Sequence, residues 1–274
     1  MSYLEPSEFV TKMVDSGESK VYMSTKDTLI RAIMAGAILA LAAVFAITVA
    51  TKTGSPLVGA VLFPVGFMML YLMKFDLLTG VFTLVPLALL DKRPGVTVKQ
   101  VMRNWGLVFI GNFIGALSVA FMMSFILTYG YTVDGGDIAQ KVGHIGEART
   151  LGYKSHGIEG WVTIFIRGML CNWMVSMGVV GAMISTSASA KMMAMWMPIM
   201  LFFFMGFEHS IVNMFLFPFS MIMGGGFTIT DYFIWNEIPT ALGNLVGGFV
   251  LVGLPLYYTH VRTSPERVYL KKAA

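Results

Sequence analysis

Cysteine and charge are both scarce in this chain. A single cysteine, Cys171, stands among 274 residues. That excludes an internal disulfide and a thiolate-built metal cluster. Charged residues make up 12%, about half the share of a soluble domain. The net charge of +4 comes from loop lysines and arginines. No basic stripe interleaved with aromatics exists, so a nucleic-acid partner is excluded. Catalytic patterns are missing too: there is no His-Glu-x-x-His zinc site and no Gly-x-Ser-x-Gly nucleophile elbow. A bis-histidine haem needs two facing histidines at membrane depth, and only His209 qualifies. No enzyme activity, cofactor or metal is expected.

Apolar residues fill the chain instead. Hydrophobic residues reach 56%, with Met 23 and Phe 21, a composition suited to lipid. The first 26 residues are polar and mixed in charge, without the pattern of a cleavable signal peptide. Apolar stretches cover Leu29–Thr51, Leu57–Leu90, Val101–Tyr129, Trp161–Ser185, Met192–Met223 and Pro239–Tyr258, and each is read as one span. The second and fifth are longer than one straight crossing of about 30 Å of hydrocarbon requires. Each is also interrupted by polar residues, at Lys74-Phe75-Asp76-Leu77-Leu78-Thr79-Gly80 and at Gly206-Phe207-Glu208-His209-Ser210. The expectation is six transmembrane helices with broken second and fifth members. Non-helical backbone at that depth survives only inside protein or along a cavity.

An internal repeat supports this reading. Asn104, Gly111, Asn112 and Gly115 recur as Asn236, Gly243, Asn244 and Gly247, a shift of 132 (104 to 236). The same shift lays Phe75-Asp76-Leu77 on Phe207-Glu208-His209. Each half then holds three spans, and an odd count inverts the second half. Inverted repeats of this kind place their site near the midplane, at the helix breaks. Lysine and arginine crowd the segments assigned to one side and thin out to Lys52, Lys141, Arg149 and Lys154 on the other. Both termini are therefore placed in the cytoplasm of a multi-pass cell (inner) membrane protein. The chain divides as one transmembrane domain, 1–274. It comprises an amphipathic N-terminal segment 1–28, a first repeat 29–130, an extracytoplasmic connection 131–160, a second repeat 161–260 and a cytoplasmic tail 261–274. Residues 5–20 are expected to lie as a short amphipathic helix on the cytoplasmic face.

His209 is the most informative residue. An ionisable group inside a span is a functional candidate by default. A neutral imidazole can donate one hydrogen bond to an anion or weak acid and exchange a proton with it. The plainer alternative is a packing histidine bonded to a backbone carbonyl. Asp76 and Glu208 would repel anions as pore ligands. They are read as supporting groups whose carboxylates accept backbone N–H bonds and hold the loops. Lys74 has two readings, an ion pair with Asp76, which is preferred, or added positive potential for anions. Thr79 and Asn172 offer a hydroxyl and an amide to a substrate, or serve as local backbone partner and interhelical glue. The repeat glycines are read as close helix-packing points.

Gly206-Phe207-Glu208-His209-Ser210, Gly168-Met169-Leu170-Cys171-Asn172-Trp173, Asp76-Leu77-Leu78-Thr79-Gly80 and Gly243-Asn244-Leu245-Val246-Gly247-Gly248 together resemble signatures of the formate/nitrite transporter family. They run in the family's order over nearly the whole chain. The resemblance implies an aquaporin-like protomer, a homopentamer in the lipid bilayer and one pore per subunit. It implies passage of a small monovalent anion or its conjugate acid, with formate first and nitrite or hydrosulfide as the alternative, and the proton as partner. By the same resemblance, the outer hydrophobic constriction falls on Phe63, Phe67 and Phe202, and the inner one on Leu77 and Leu78. Thr79 matches the gating threonine, His209 the central histidine and Asn172 the pore asparagine. Two departures stand out. The residue before Phe75 is usually small in the family, and here it is Lys74. A vestibule lysine usually lies sixteen residues before the asparagine; here that place is His156, with Lys154 two residues earlier.

Overall fold

In a computed structural model the described residues are 3–263. From residue 264 on, the predicted tail lies outside them. The chain is almost entirely helical: α1 (Pro6–Tyr22), α2 (Thr25–Thr53), α3 (Pro56–Leu62), α4 (Pro64–Leu72), α5 (Leu78–Leu90), α6 (Val98–Leu127), α7 (Gly136–Ala148), α8 (Leu151–Lys154), α9 (Gly157–Met183), α10 (Ala188–Phe204), α11 (Ser210–Ile222) and α12 (Ile229–Arg262). Helices α2, α6, α9 and α12 are long and apolar enough to cross a membrane. Between them lie two pairs of shorter apolar helices, α3–α4 with α5, and α10 with α11.

Local chemistry sets these boundaries. Ser24 caps α2 by accepting the Asp27 N–H at 3.0 Å, and α2 closes where Gly54 turns left-handed. Thr97 and Gln100 form a capping box for α6, Thr228 and Asp231 one for α12. Helix α12 begins ten residues before the apolar stretch read from the sequence, and π-helical turns recur along it, the first at Phe233–Glu237. Long helices pack pairwise, α2 on α6 and α9 on α12. The contact is close enough that a Cβ on Gly115 would lie 2.0 Å from the Ile33 carbonyl, and one on Gly247 2.1 Å from that of Met169.

Helix α1 falls on the segment expected to form a short amphipathic helix. It buries Phe9, Val10, Met13 and Val14 against α5 and leaves Glu8, Thr11, Lys12 and Asp15 exposed. The connection 131–160 likewise holds a packed helix, α7, which contacts α11. The two helices share the pattern Gly17-Glu18-Ser19-Lys20 and Gly146-Glu147-Ala148-Arg149, 129 residues apart (17 to 146).

Helices α4 and α10 stop in the same way. At the end of α4 the Phe75 N–H reaches the Leu70 carbonyl at 2.9 Å, and the Lys74 N–H reaches Tyr71 at 3.0 Å. At the end of α10 the Phe207 N–H reaches Phe202 at 3.0 Å, and the Gly206 N–H reaches Phe203 at 3.1 Å. Both are Schellman turns, which require a left-handed residue at their fifth position. Gly206 has φ +64° and Lys74 φ +58°. A lysine there carries the steric cost of its Cβ. Lys74→Gly is therefore expected to stabilise the protein by about 0.5–1 kcal/mol, after its larger unfolded-state entropy is deducted. A higher thermal midpoint in detergent would register it; an unchanged or lower one would show the turn unstrained.

Candidate functional site

Past each Schellman turn the backbone runs extended and a new helix starts, α5 after Leu77 and α11 after His209. A helix start exposes N–H groups that must find partners away from water. Asn112 and Asn244 supply them. Asn112 Oδ1 accepts the Leu78 N–H at 2.9 Å, and its Nδ2 donates to the carbonyls of Asp76 and Ala32 at 2.9 and 2.8 Å. Asn244 Oδ1 accepts the Ser210 N–H at 3.0 Å, and its Nδ2 donates to Glu208 and Gly168 at 2.9 and 2.8 Å. All of these groups sit at matching places in the two halves.

The carboxylates hold their loops through partners other than those expected. Neither Asp76 nor Glu208 takes its partners from loop N–H groups. Asp76 pairs with Lys20 at the end of α1, not with Lys74. Glu208, fully buried, meets Arg149 at 3.5 Å, Tyr153 Oη at 3.3 Å, Asn213 Nδ2 at 2.9 Å and Asn236 Nδ2 at 3.3 Å. Burial and the Glu208 charge hold the Tyr153 phenol above its ordinary pKa, so its hydroxyl stays a donor to that carboxylate. Arg167 donates to the same phenol oxygen. Asn104 donates to the Lys20 carbonyl at 3.1 Å, and Asn236 donates to that of Arg149 at 3.0 Å. Each loop is thus latched to a cation from α1 or from the end of α7. Lys20 and Arg149 escaped the sequence reading, yet the shared Gly-Glu-x-Lys/Arg pattern was there to find them.

His209 stands at the N-cap of α11. Its Nδ1 accepts the Val212 N–H at 3.3 Å. A ring nitrogen that accepts carries no proton, so the neutral imidazole holds its hydrogen on Nε2. Nε2 lies 3.4 Å from Thr79 Oγ1, in the first turn of α5. The two helix starts therefore meet side chain to side chain. Both residues are buried. Phe202 stacks on the imidazole with centroids 5.4 Å apart. Asn172 on α9 donates to the Thr79 carbonyl at 3.1 Å and to the Asn244 carbonyl at 2.6 Å, so its amide ties the start of α5 to α12.

Cavities approach this centre from two directions. One of about 300 Å³ is lined by Lys141, Arg149, Phe202, Phe207, His209 and Val212 among others. The other, about 490 Å³, carries Lys12, Lys20, Arg31, Lys74 and Lys191. A narrow pocket of about 40 Å³ extends from its wall, lined by Lys20, Phe67, Asp76 and Leu77. The structure thus brings His209, Thr79, Asn172 and Phe202 together. It sets Phe67 beside Leu77 in the narrow pocket. Phe63 is buried face to face with Phe203 at 3.9 Å and edge-on to Phe202 at 5.7 Å. Leu78 is buried behind the start of α5. Lys154 is tied to Asp231 at 2.8 Å, and His156 lines a shallow cavity with Arg149 and Arg167. The cations beside the His209 cavity are Lys141 and Arg149.

A polytopic helical chain with a polar pair between two cavities is a membrane transport protein in outline. The comparisons give it a family. The model of the formate/nitrite transporter family matches residues 7–258, and the chain belongs to that family, one of transporters rather than enzymes. It is 31% identical to a probable formate transporter of Methanothermobacter thermautotrophicus, over 95% of this chain and 98% of that one. It is 30% identical to the formate channel FocA of Escherichia coli, over 89% and 91%. An uncharacterized transporter of Bacillus subtilis, YrhG, is 30% identical over the full length of both. Among solved structures, an FNT family ion channel superposes with a TM-score of 0.79 at 23% identity, covering 92% of this chain and 98% of that one. A pentameric formate channel with formate bound superposes with 0.71 at 24%, covering 85% and 96%. These likenesses support the fold.

Proposed function

We propose that this protein passes formate across the membrane through a pore in each protomer, with His209 as its centre. The observation that carries the reading is the buried contact of His209 Nε2 with Thr79 Oγ1, at the junction of two helix starts, with a cation-bearing cavity on either side. Positive residues at each mouth and the partial positive charge of the two helix starts draw the anion inward. Phe202 on one side, and Phe67 with Leu77 on the other, face it with apolar walls, and Phe63 and Leu78 back them. A bare anion in a dry constriction meets a heavy desolvation cost, and the neutral acid a far smaller one. The substrate therefore takes up a proton from water at the entry side, directly or through His209 Nε2–H with that proton replaced from the same water, crosses as the acid, and gives the proton back to water on the far side. Asn172 holds the start of α5 against α12.

The architecture that goes with this is six spans in two inverted three-helix repeats, aquaporin-like, with the second and fifth interrupted at 73–77 and 205–209. Repeats 29–130 and 161–260, and both termini in the cytoplasm, complete the arrangement. A homopentamer is supported by the likeness to a channel described as pentameric, and formate by relatives named for it.

Purified protein in liposomes tests the substrate. Uptake of formate, nitrite and hydrosulfide is followed by stopped-flow from acid to neutral pH. Formate should enter fastest, and its rate at fixed total concentration should rise as pH falls, because the acid form grows. A rate equal to that of protein-free vesicles would defeat the reading. A rate that follows voltage and ignores pH would remove its proton step, and faster nitrite or hydrosulfide flux would reassign the substrate.

A further inference from the structure

The cavity at the α1 end is far larger than formate needs and is strongly cationic. Its volume is about 490 Å³, and its wall holds Lys12, Lys20, Arg31, Lys74 and Lys191 against one acid, Asp15. Lys20 is engaged by Asp76. Asp15 is engaged by Arg93 at 2.7 Å. Among the described residues Lys12, Arg31, Lys74 and Lys191 make no ion pair. Arg31 and Lys191 are half-buried. Two partly desolvated cations beside two exposed ones, none of them paired with a carboxylate among the described residues, repel one another until an anion arrives. A monovalent anion of three heavy atoms neither fills the space nor balances four charges. The same wall offers hydroxyls from Ser16, Ser185 and Thr186. Lysine ammoniums and hydroxyls around a roomy pocket are the donors that tetrahedral phosphoryl oxygens accept from.

We infer that this cavity binds a multiply charged phosphoryl anion, and that its occupant shuts the path from that face. The second part follows from placement and rests on the pore reading above. The cavity shares Lys20, Tyr71, Phe75 and Leu84 with the narrow pocket that ends at Phe67 and Leu77. An anion held by Arg31 and Lys191 sits across that entrance and repels any formate arriving behind it. The phosphoryl group is carried either by a soluble small molecule or by a lipid headgroup.

Binding is tested first and apart from transport, by calorimetric titration of the detergent-purified full chain with inorganic pyrophosphate. Saturable, salt-sensitive binding is expected, weakened at least about tenfold in Arg31→Gln/Lys191→Gln. Absence of binding to pyrophosphate, together with flux indifferent to anionic lipid, overturns the proposal. So does binding that is unchanged in the double variant. Should that variant fail to fold, Lys12→Gln/Lys191→Gln is read by the same criterion. Formate flux is then measured in vesicles of neutral lipid, with pyrophosphate added to one face at a time. Suppression from the α1 face alone supports closure, and equal flux with and without pyrophosphate at saturation overturns it for the soluble anion. Neutral and anionic phospholipid vesicles without pyrophosphate form the other arm, where suppression by anionic lipid assigns the site to a headgroup. Pyrophosphate binding in a protein that moves no formate would sustain the site and sink the pore reading.

Discussion

Replacing Asn244 by leucine should destabilise the protein by about 2–4 kcal/mol. The substitution removes the acceptor of the Ser210 N–H and the donor to the Glu208 carbonyl. Both groups lie in the turn between α10 and α11, where no water reaches to replace the bond. Each buried, unsatisfied backbone group costs about 1–3 kcal/mol. The Gly168 carbonyl loses its Asn244 bond too, but it sits within α9 and contributes less. Asn112→Leu should cost the same within error, because its bonds to Leu78, Asp76 and Ala32 have the same lengths to within 0.1 Å. Asn244→Asp separates the two functions of the amide, since its carboxylate accepts from Ser210 and donates nothing. Unfolding followed by tryptophan fluorescence in a denaturing detergent series would report all three. A leucine variant as stable as the parent would show that the turn finds other partners.

His209→Ala should lower formate flux by roughly 10–100-fold. Loss of one hydrogen bond to a charged substrate is worth about 1.5–3 kcal/mol, and each 1.4 kcal/mol is a factor of ten. Alanine also strips α11 of its cap, since His209 Nδ1 accepts the Val212 N–H, and caps are worth about 0.5–2 kcal/mol. His209→Asn separates the two effects. Asparagine is among the best N-cap residues but is too short to reach Thr79 Oγ1, which the imidazole meets at 3.4 Å. The asparagine variant should recover the thermal midpoint and not the flux. Normal formate uptake by a stable asparagine variant would take the imidazole out of the transport step.

Much of this could be read from residues alone. The apolar stretches fall close to the helices, and the polar interruptions fall where α4 gives way to α5 and α10 to α11. Spacing of 132 also picked out Asn112 and Asn244, although as marks of a repeat and not as the groups that hold the turns. What escaped was tertiary. The partner of Asp76 lies 56 residues away in α1, and only the Gly-Glu-x-Lys/Arg pattern repeated at 146–149, not closeness in sequence, favours that lysine over Lys74. Position 74 carries lysine where the backbone turns left-handed, and hydropathy is blind to φ. The early start of α12 was hidden because Asp231, Asn236 and Glu237 look like loop residues. They are buried because partners wait for them: Glu237 accepts from Ser210 Oγ and from Tyr232 Oη, the latter at 2.9 Å, and Asn236 from Asn213. A polar residue that brings its own partner into the interior cannot be told from a solvated one in a single sequence.

The self-sufficiency of each turn bears on how the chain is made. Everything that fixes the 73–77 turn, from Lys20 and Ala32 to Asn112, has been synthesised by the time residue 112 clears the ribosome, before any part of the second half exists. The later turn draws on Arg149, Tyr153, Asn213, Asn236 and Asn244, all synthesised after the first half. Nascent chains settle from the N-terminal end, so the first half enters the bilayer as a finished piece. The contact of His209 with Thr79 can then be among the last to form, when two prebuilt pieces close on each other.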